Sequence, residues 1–242
     1  MDAALKKAIT YNHQGIANAR QGKNRAALSC FNAAIKAYPE LPLSNSHDLK
    51  YRIYSNRGLT KEHLRDFKGA LADYNKTLSL DPKYAVGYCN RGGVKYNMKK
   101  YQDAIADFKT AIKLNSGFEK AYFFLGAAYM RAKQNQDAVN AFTKLIKMND
   151  HFFLPFFERG CAKLALNNYR SAISDFKQAT HMAPPNSAAN VAILNNMGMA
   201  ENNLHHYSDA VKVLKKALMI IPGNHYALSN LKIAKRGLDK NK

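Results

Sequence analysis

The pentapeptide YSNRG at Tyr54–Gly58 returns as YCNRG at Tyr88–Gly92, 34 residues later and with one change. The same step leads on to Gly126 and Gly160. Gly198 comes four residues late, after the turn-forming PPNSAAN at 184–190. Gly15 stands nine residues too far upstream, and the excess fits within ELPLSNSHDLK at 40–50. Twelve residues after these six glycines stand Ala27, Ala70, Ala104, Ala138, Ala172 and Ala210; sixteen after stand Phe31, Tyr74, Phe108, Phe142, Phe176 and Leu214. Four before them stand Tyr11, Tyr54, Tyr88, Tyr122, Phe156 and Leu194, and four units carry a proline 24 residues on, at Pro39, Pro82, Pro184 and Pro222. This period constrains the fold more than any other feature. Each unit is one supersecondary element that cannot bury its apolar face alone, so the copies must stack.

Within each unit the apolar residues recur at intervals of three and four, which predicts amphipathic helices. The glycine and alanine places let two antiparallel helices approach closely, and the aromatic fills the space between them. The proline ends the second helix or begins the next. This set of residues at this spacing resembles the tetratricopeptide repeat. The resemblance implies an all-α fold: a right-handed superhelical solenoid of six helix-turn-helix repeats in a single domain over 1–242. The repeats are expected at about 8–41, 51–84, 85–118, 119–152, 153–186 and 191–224, with insertions at 40–50 and 184–190. The last stretch, from His225, has Leu228, Leu231 and Ile233 apolar and Lys232, Lys235 and Arg236 on its far side. It is expected to be a solvating cap over 225–238.

Arg57, Arg91 and Arg159 directly precede the repeat glycine, and the same three units carry Asp73, Asp107 and Asp175 fifteen residues after it. The other units have Gln14, Leu125 and Met197 at the first place and Cys30, Ala141 and Val213 at the second. This joint occurrence predicts an ion pair bridging the two helices of a unit, because a planar guanidinium engages a carboxylate through two hydrogen bonds. Contact with a ligand is the competing use.

The resemblance further implies a concave groove, lined by the first helices and commonly taken by an extended peptide or a partner helix. Its places would be six, three and two before the glycine, and one and four after it. Asn56, Asn90 and Asn196 stand two before and form either a ladder for a peptide backbone or a generic polar lining. Phe124 and Glu158 interrupt them. Mid-array, Tyr96, Phe123, Phe124, Met130, Leu154, Phe157 and Leu164 make an apolar strip. Fully exposed, it would exceed what a monomer leaves uncovered. It is therefore the seat of a partner helix, of a second copy in a homo-oligomer or of the chain's own HFFLP at 151–155, or else core made by tight curvature. The carboxylate clamp of chaperone-binding members is not complete: Asn56 fits its middle, but Asn12, Ile16, Val86 and Asn90 occupy the flanking places.

Lys and Arg number 37 against 17 Asp and Glu, a formal charge of +20. Such an excess favours acidic partners. It keeps open an acidic protein, nucleic acid or a microtubule, the last with a cytoskeletal or ciliary placement. Cys30, Cys89 and Cys161 form no CxxC pair and the histidines show no ligand spacing, so no metal or cofactor is expected. Reduced thiols fit an intracellular, cytoplasmic protein. No apolar run approaches the ~20 residues of a membrane span, so no membrane insertion is expected, and the start MDAALKKAITYN lacks the marks of a secretory signal. No nucleophile elbow, phosphate loop or dinucleotide fingerprint occurs. The expectation is a non-catalytic scaffold, with a substrate-recruiting arm of a larger enzyme as the alternative.

Overall fold

The computed structural model describes residues 3–38 and 47–240, and among these there are thirteen α-helices and no strand. They run α1 (Ala3–Arg20), α2 (Asn24–Ala37), α3 (His47–His63), α4 (Phe67–Leu80), α5 (Ala85–Asn97), α6 (Tyr101–Leu114), α7 (Glu119–Arg131), α8 (Asn135–Met148), α9 (Phe153–Ala165), α10 (Tyr169–Met182), α11 (Ala188–Asn203), α12 (Tyr207–Ile220) and α13 (His225–Lys240). The chain divides into two compact units, Met1–Ala121 and Tyr122–Lys242. In the first, α1/α2, α3/α4 and α5/α6 pair as hairpins, with α2 against α3 and α4 against α5. In the second, α9/α10 and α11/α12 pair, α8 packs on α9, α10 on α11, and α13 closes on α12.

The 34-residue pattern has a steric cause. A Cβ added to Gly126 would stand 2.6 Å from the ring of Phe142, and one on Gly160 would stand 2.6 Å from Phe176. Only glycine allows the second helix this close. The alanine twelve residues on is fully buried in all six hairpins, and the large residue sixteen on ranks among the largest buried side chains. The first helix of each hairpin ends on a left-handed residue seven places after the glycine: Gly22, Arg65, Lys99, Lys133, Asn167 and His205, with φ from 60° to 73°. The next N–H then bonds back five residues, as Lys100 N to Lys95 O and Gln134 N to Tyr129 O, both 2.9 Å. This closure satisfies the last carbonyls of the helix.

Four boundaries differ from expectation. Helix α1 begins at Ala3, before the expected start at 8. Helix α3 begins at His47, within the expected insertion at 40–50; Pro39 and residues 40–46 lie outside the described residues. Helix α11 begins at Ala188, inside 184–190, because the Ser187 side chain accepts from Asn190 N at 3.1 Å and so caps it. The cap α13 runs two residues beyond 238. Its Gly237 lies beneath the ring of Tyr207 on α12, a glycine–aromatic contact outside the repeat frame.

Candidate functional site

The three arginines are built into the hairpins. Each donates Nε to one carboxylate oxygen at 2.9 Å and Nη2 to the other at 2.6 Å (Arg57–Asp73) or 2.7 Å (Arg91–Asp107, Arg159–Asp175). The aspartates are buried. Each also takes a lysine: Lys61 at 2.8 Å, Lys95 at 2.7 Å and Lys163 at 2.8 Å. These lysines follow the arginines by four residues on the same helix face, a spacing legible in the sequence that the pairwise reading left out. The remaining arm, Nη1, reaches the second helix of the preceding hairpin at Asn32 (2.9 Å), Asn75 (2.9 Å) and Thr143 (3.2 Å). The guanidinium carbons lie 5.3 Å over Tyr54, 5.3 Å over Tyr88 and 5.5 Å over Phe156. The bond to Asp107 raises the pKa of Arg91 above its ordinary value. These cations are engaged inside the fold.

Of the expected groove residues in the first unit, Asn56 donates to Asn12 Oδ1 at 3.3 Å, Asn90 is half-buried on α5, and Tyr96 meets Tyr101 edge-on at 5.6 Å. In the second unit Phe123 packs edge-on against Phe124 (5.7 Å) and Phe142 (6.0 Å), while Phe157 tilts against Phe176 at 6.1 Å. Phe157 and Leu164 pack on the cluster of Ile173, Phe176, Ile193 and Met197. Met130 is half-buried and Leu154 exposed. Much of the strip thus serves packing between consecutive helices. Within HFFLP, Phe153 joins the same cluster and Phe152 stays exposed. Burial raises the carboxyl pKa of Glu62 and of Glu158, which stand at groove places on α3 and α9.

Between α11 and α13 lies a cleft of about 620 Å³. Asn195 and Asn196 on α11, Asn224 in the turn and Asn230 on α13 line it, with Met199 and Tyr226 as apolar walls; no charged side chain does. Asn230 Nδ2 donates to Asn195 Oδ1 at 2.9 Å, Asn202 Nδ2 holds the Asn230 carbonyl at 2.9 Å, and Asn224 Oδ1 accepts from Ala227 N at 2.9 Å. Asn196 Nδ2 makes a long contact to Cys161 Sγ at 3.8 Å. The Nδ2 of Asn195 and the Oδ1 of Asn196 and of Asn230 have no protein partner among the described residues. One donor and two acceptors on these cleft-lining residues are therefore left for a ligand or water. Asn196 was expected in a groove. Asn195 holds a groove place three before its glycine and went unnoticed, whereas Asn224 and Asn230 fall outside the repeat frame.

Burial pushes the Cys89 thiol up to about 11 and the Cys161 thiol up to about 12, so neither supplies a thiolate at neutral pH. Among the described residues no group of three His, Cys, Asp or Glu could hold a metal ion, and no helix is long and apolar enough to cross a membrane.

No curated protein matches this sequence. Family models described as tetratricopeptide repeat match residues 13–85 and 157–225, 85–118, and 119–152. Among solved structures, the chain is similar to YrrB, described as a TPR protein with an unusual peptide-binding site, at 23% identity and a TM-score of 0.70, covering 84% of this chain and 97% of that one. It is similar to pilF of Pseudomonas aeruginosa at 16% identity and a TM-score of 0.74, covering 94% and 98%. The C-terminal part of a TPR repeat-containing protein from Cytophaga hutchinsonii gives 17% identity and a TM-score of 0.74 over 93% and 87%. These likenesses show the fold. With family models covering most of its length and its hairpins set by the glycine–aromatic period, the chain belongs to the tetratricopeptide repeat family.

Proposed function

We propose that this protein is a protein–protein interaction module that holds an extended, uncharged peptide segment in the cleft between α11 and α13. The observation that carries the reading is the neutrality of that cleft in a chain of charge +20. Amide side chains both donate and accept, so they match the alternating N–H and C=O of an extended backbone. Met199 and Tyr226 offer apolar contact to the peptide's side chains. YrrB, similar in fold, supports such a use through its described peptide-binding site. The phenylalanine strip contributes less, since Phe123 and Phe157 already lean on Phe142 and Phe176.

The test is selection of a random-peptide display library on the full chain. Enriched peptides are expected to be uncharged, and their binding to be nearly independent of salt. Asn196→Ala combined with Tyr226→Ala should weaken them about tenfold, the effect of one lost hydrogen bond and one aromatic contact. Peptides that bind the double variant as well as the original chain would overturn the assignment.

A further inference from the structure

Two edges of the C-terminal unit differ in chemistry. Its helices alternate in direction, so the turns α7/α8, α9/α10 and α11/α12 emerge at one edge and the turns α8/α9, α10/α11 and α12/α13 at the other. The first edge is polar, with Lys133, Asn167 and His205 at the left-handed positions. The second exposes large apolar side chains: Met148 at 39%, Phe152 at 59%, Leu154 at 39% and Met219 at 82%. Beside them stand exposed lysines, Lys144 and Lys147 on α8, Lys177 on α10, and Lys215 and Lys216 on α12. None of these lysines has an ion-pair partner among the described residues. Within 144–157, 177–190 and 215–228 the single carboxylate is Asp150.

We propose that this edge docks on the surface of an anionic lipid bilayer, with the lysines among the headgroups and Phe152 and Met219 dipping into the interface. Phe152 stands in the α8/α9 turn with Met148 and Leu154 on the helices either side of it, and Met219 lies at the end of α12. A flat partner would therefore meet apolar side chains at two turns of this edge. A nucleic-acid duplex would engage the lysines but has no use for Phe152 and Met219. A bilayer takes both, because lysine stems lie along apolar surface while their ammonium groups stay with the phosphates. No membrane span is needed. The α12/α13 turn borders the peptide cleft as well. None of these lysines, nor Met148, Phe152, Leu154 or Met219, lines that cleft, so their variants leave it unaltered.

The experiment is sedimentation of the full chain with phosphatidylcholine vesicles made with and without phosphatidylserine. Binding is expected only with phosphatidylserine, weakening as salt is added. Each Lys→Gln change among Lys144, Lys147, Lys215 and Lys216 should lower the partition coefficient about fivefold. Phe152→Ser with Met219→Ser should lower it further at unchanged charge, and circular dichroism should show intact helices because both side chains are exposed. Failure to bind the phosphatidylserine vesicles, or equal binding to neutral ones, overturns the proposal. So does phosphatidylserine binding that ignores the Phe152 and Met219 changes, which would mark the lysines as a site for an acidic protein or a duplex.

Discussion

Where Arg91, Lys95 and Asp107 meet in the third hairpin, the fourth has Leu125, Tyr129 and Ala141. The apolar trio is buried. Both hairpins nevertheless pair helices of 13 and 14 residues over the same glycine–phenylalanine contact. The joint between the two helices therefore needs filled volume and not charge. A buried ion pair loses in desolvation much of what its attraction supplies, so an apolar trio can stand in its place. The first hairpin shows a third solution, Asn18 donating to Cys30 Sγ at 3.5 Å. What the ionic version adds is the arginine arm that grips the hairpin before it.

The comparison is most exposed to failure at Asp107. Asp107→Ala would leave two cations unpaired at a mostly buried joint, and a loss of about 3 kcal/mol in urea unfolding is expected. A cost below about 1 kcal/mol would show that the carboxylate is dispensable and the two hairpins less different than they look. Copying the fourth hairpin into the third, with Arg91→Leu, Lys95→Tyr and Asp107→Ala together, should return stability to within about 1 kcal/mol of the original in the same measurement. A triple variant as unstable as Asp107→Ala alone would mean that the joint's shape is fixed for ions. The smallest effect concerns the turns, which the two hairpins share. Lys99→Gly and Lys133→Gly should each gain about 0.5 kcal/mol by relieving a left-handed lysine. Unequal gains in thermal unfolding would show that the chemistry of the joint reaches the turn.

The hairpins were legible because one contact, glycine under a large side chain, fixes two sequence positions sixteen apart. That contact recurs six times, five of them with an aromatic ring and once with Leu214. Arg91 and Asp107 were legible together for the same reason: they appear and disappear as a pair across the repeats. The strip around Phe123 and Phe157 was ambiguous because the first helix of a hairpin touches its own partner and also the next hairpin, and helical periodicity does not separate those faces. Phe157 illustrates this, standing at a groove place while packed on Phe176. The α11/α13 cleft was only partly legible. Asn196 sits in the repeat frame, but Asn224 and Asn230 belong to a cap that has no second copy to compare with.

The arms of Arg57, Arg91 and Arg159 work like stitches, sewing a hairpin to its predecessor through Asn32, Asn75 and Thr143. The sixth hairpin has Met197 at that place, and a thioether cannot donate such a bond. In this it matches the fourth hairpin, which has Leu125 there. The α11 helix of the sixth hairpin is also one wall of the asparagine cleft, so that wall rests on the hairpin before it through apolar packing and not through a charged stitch.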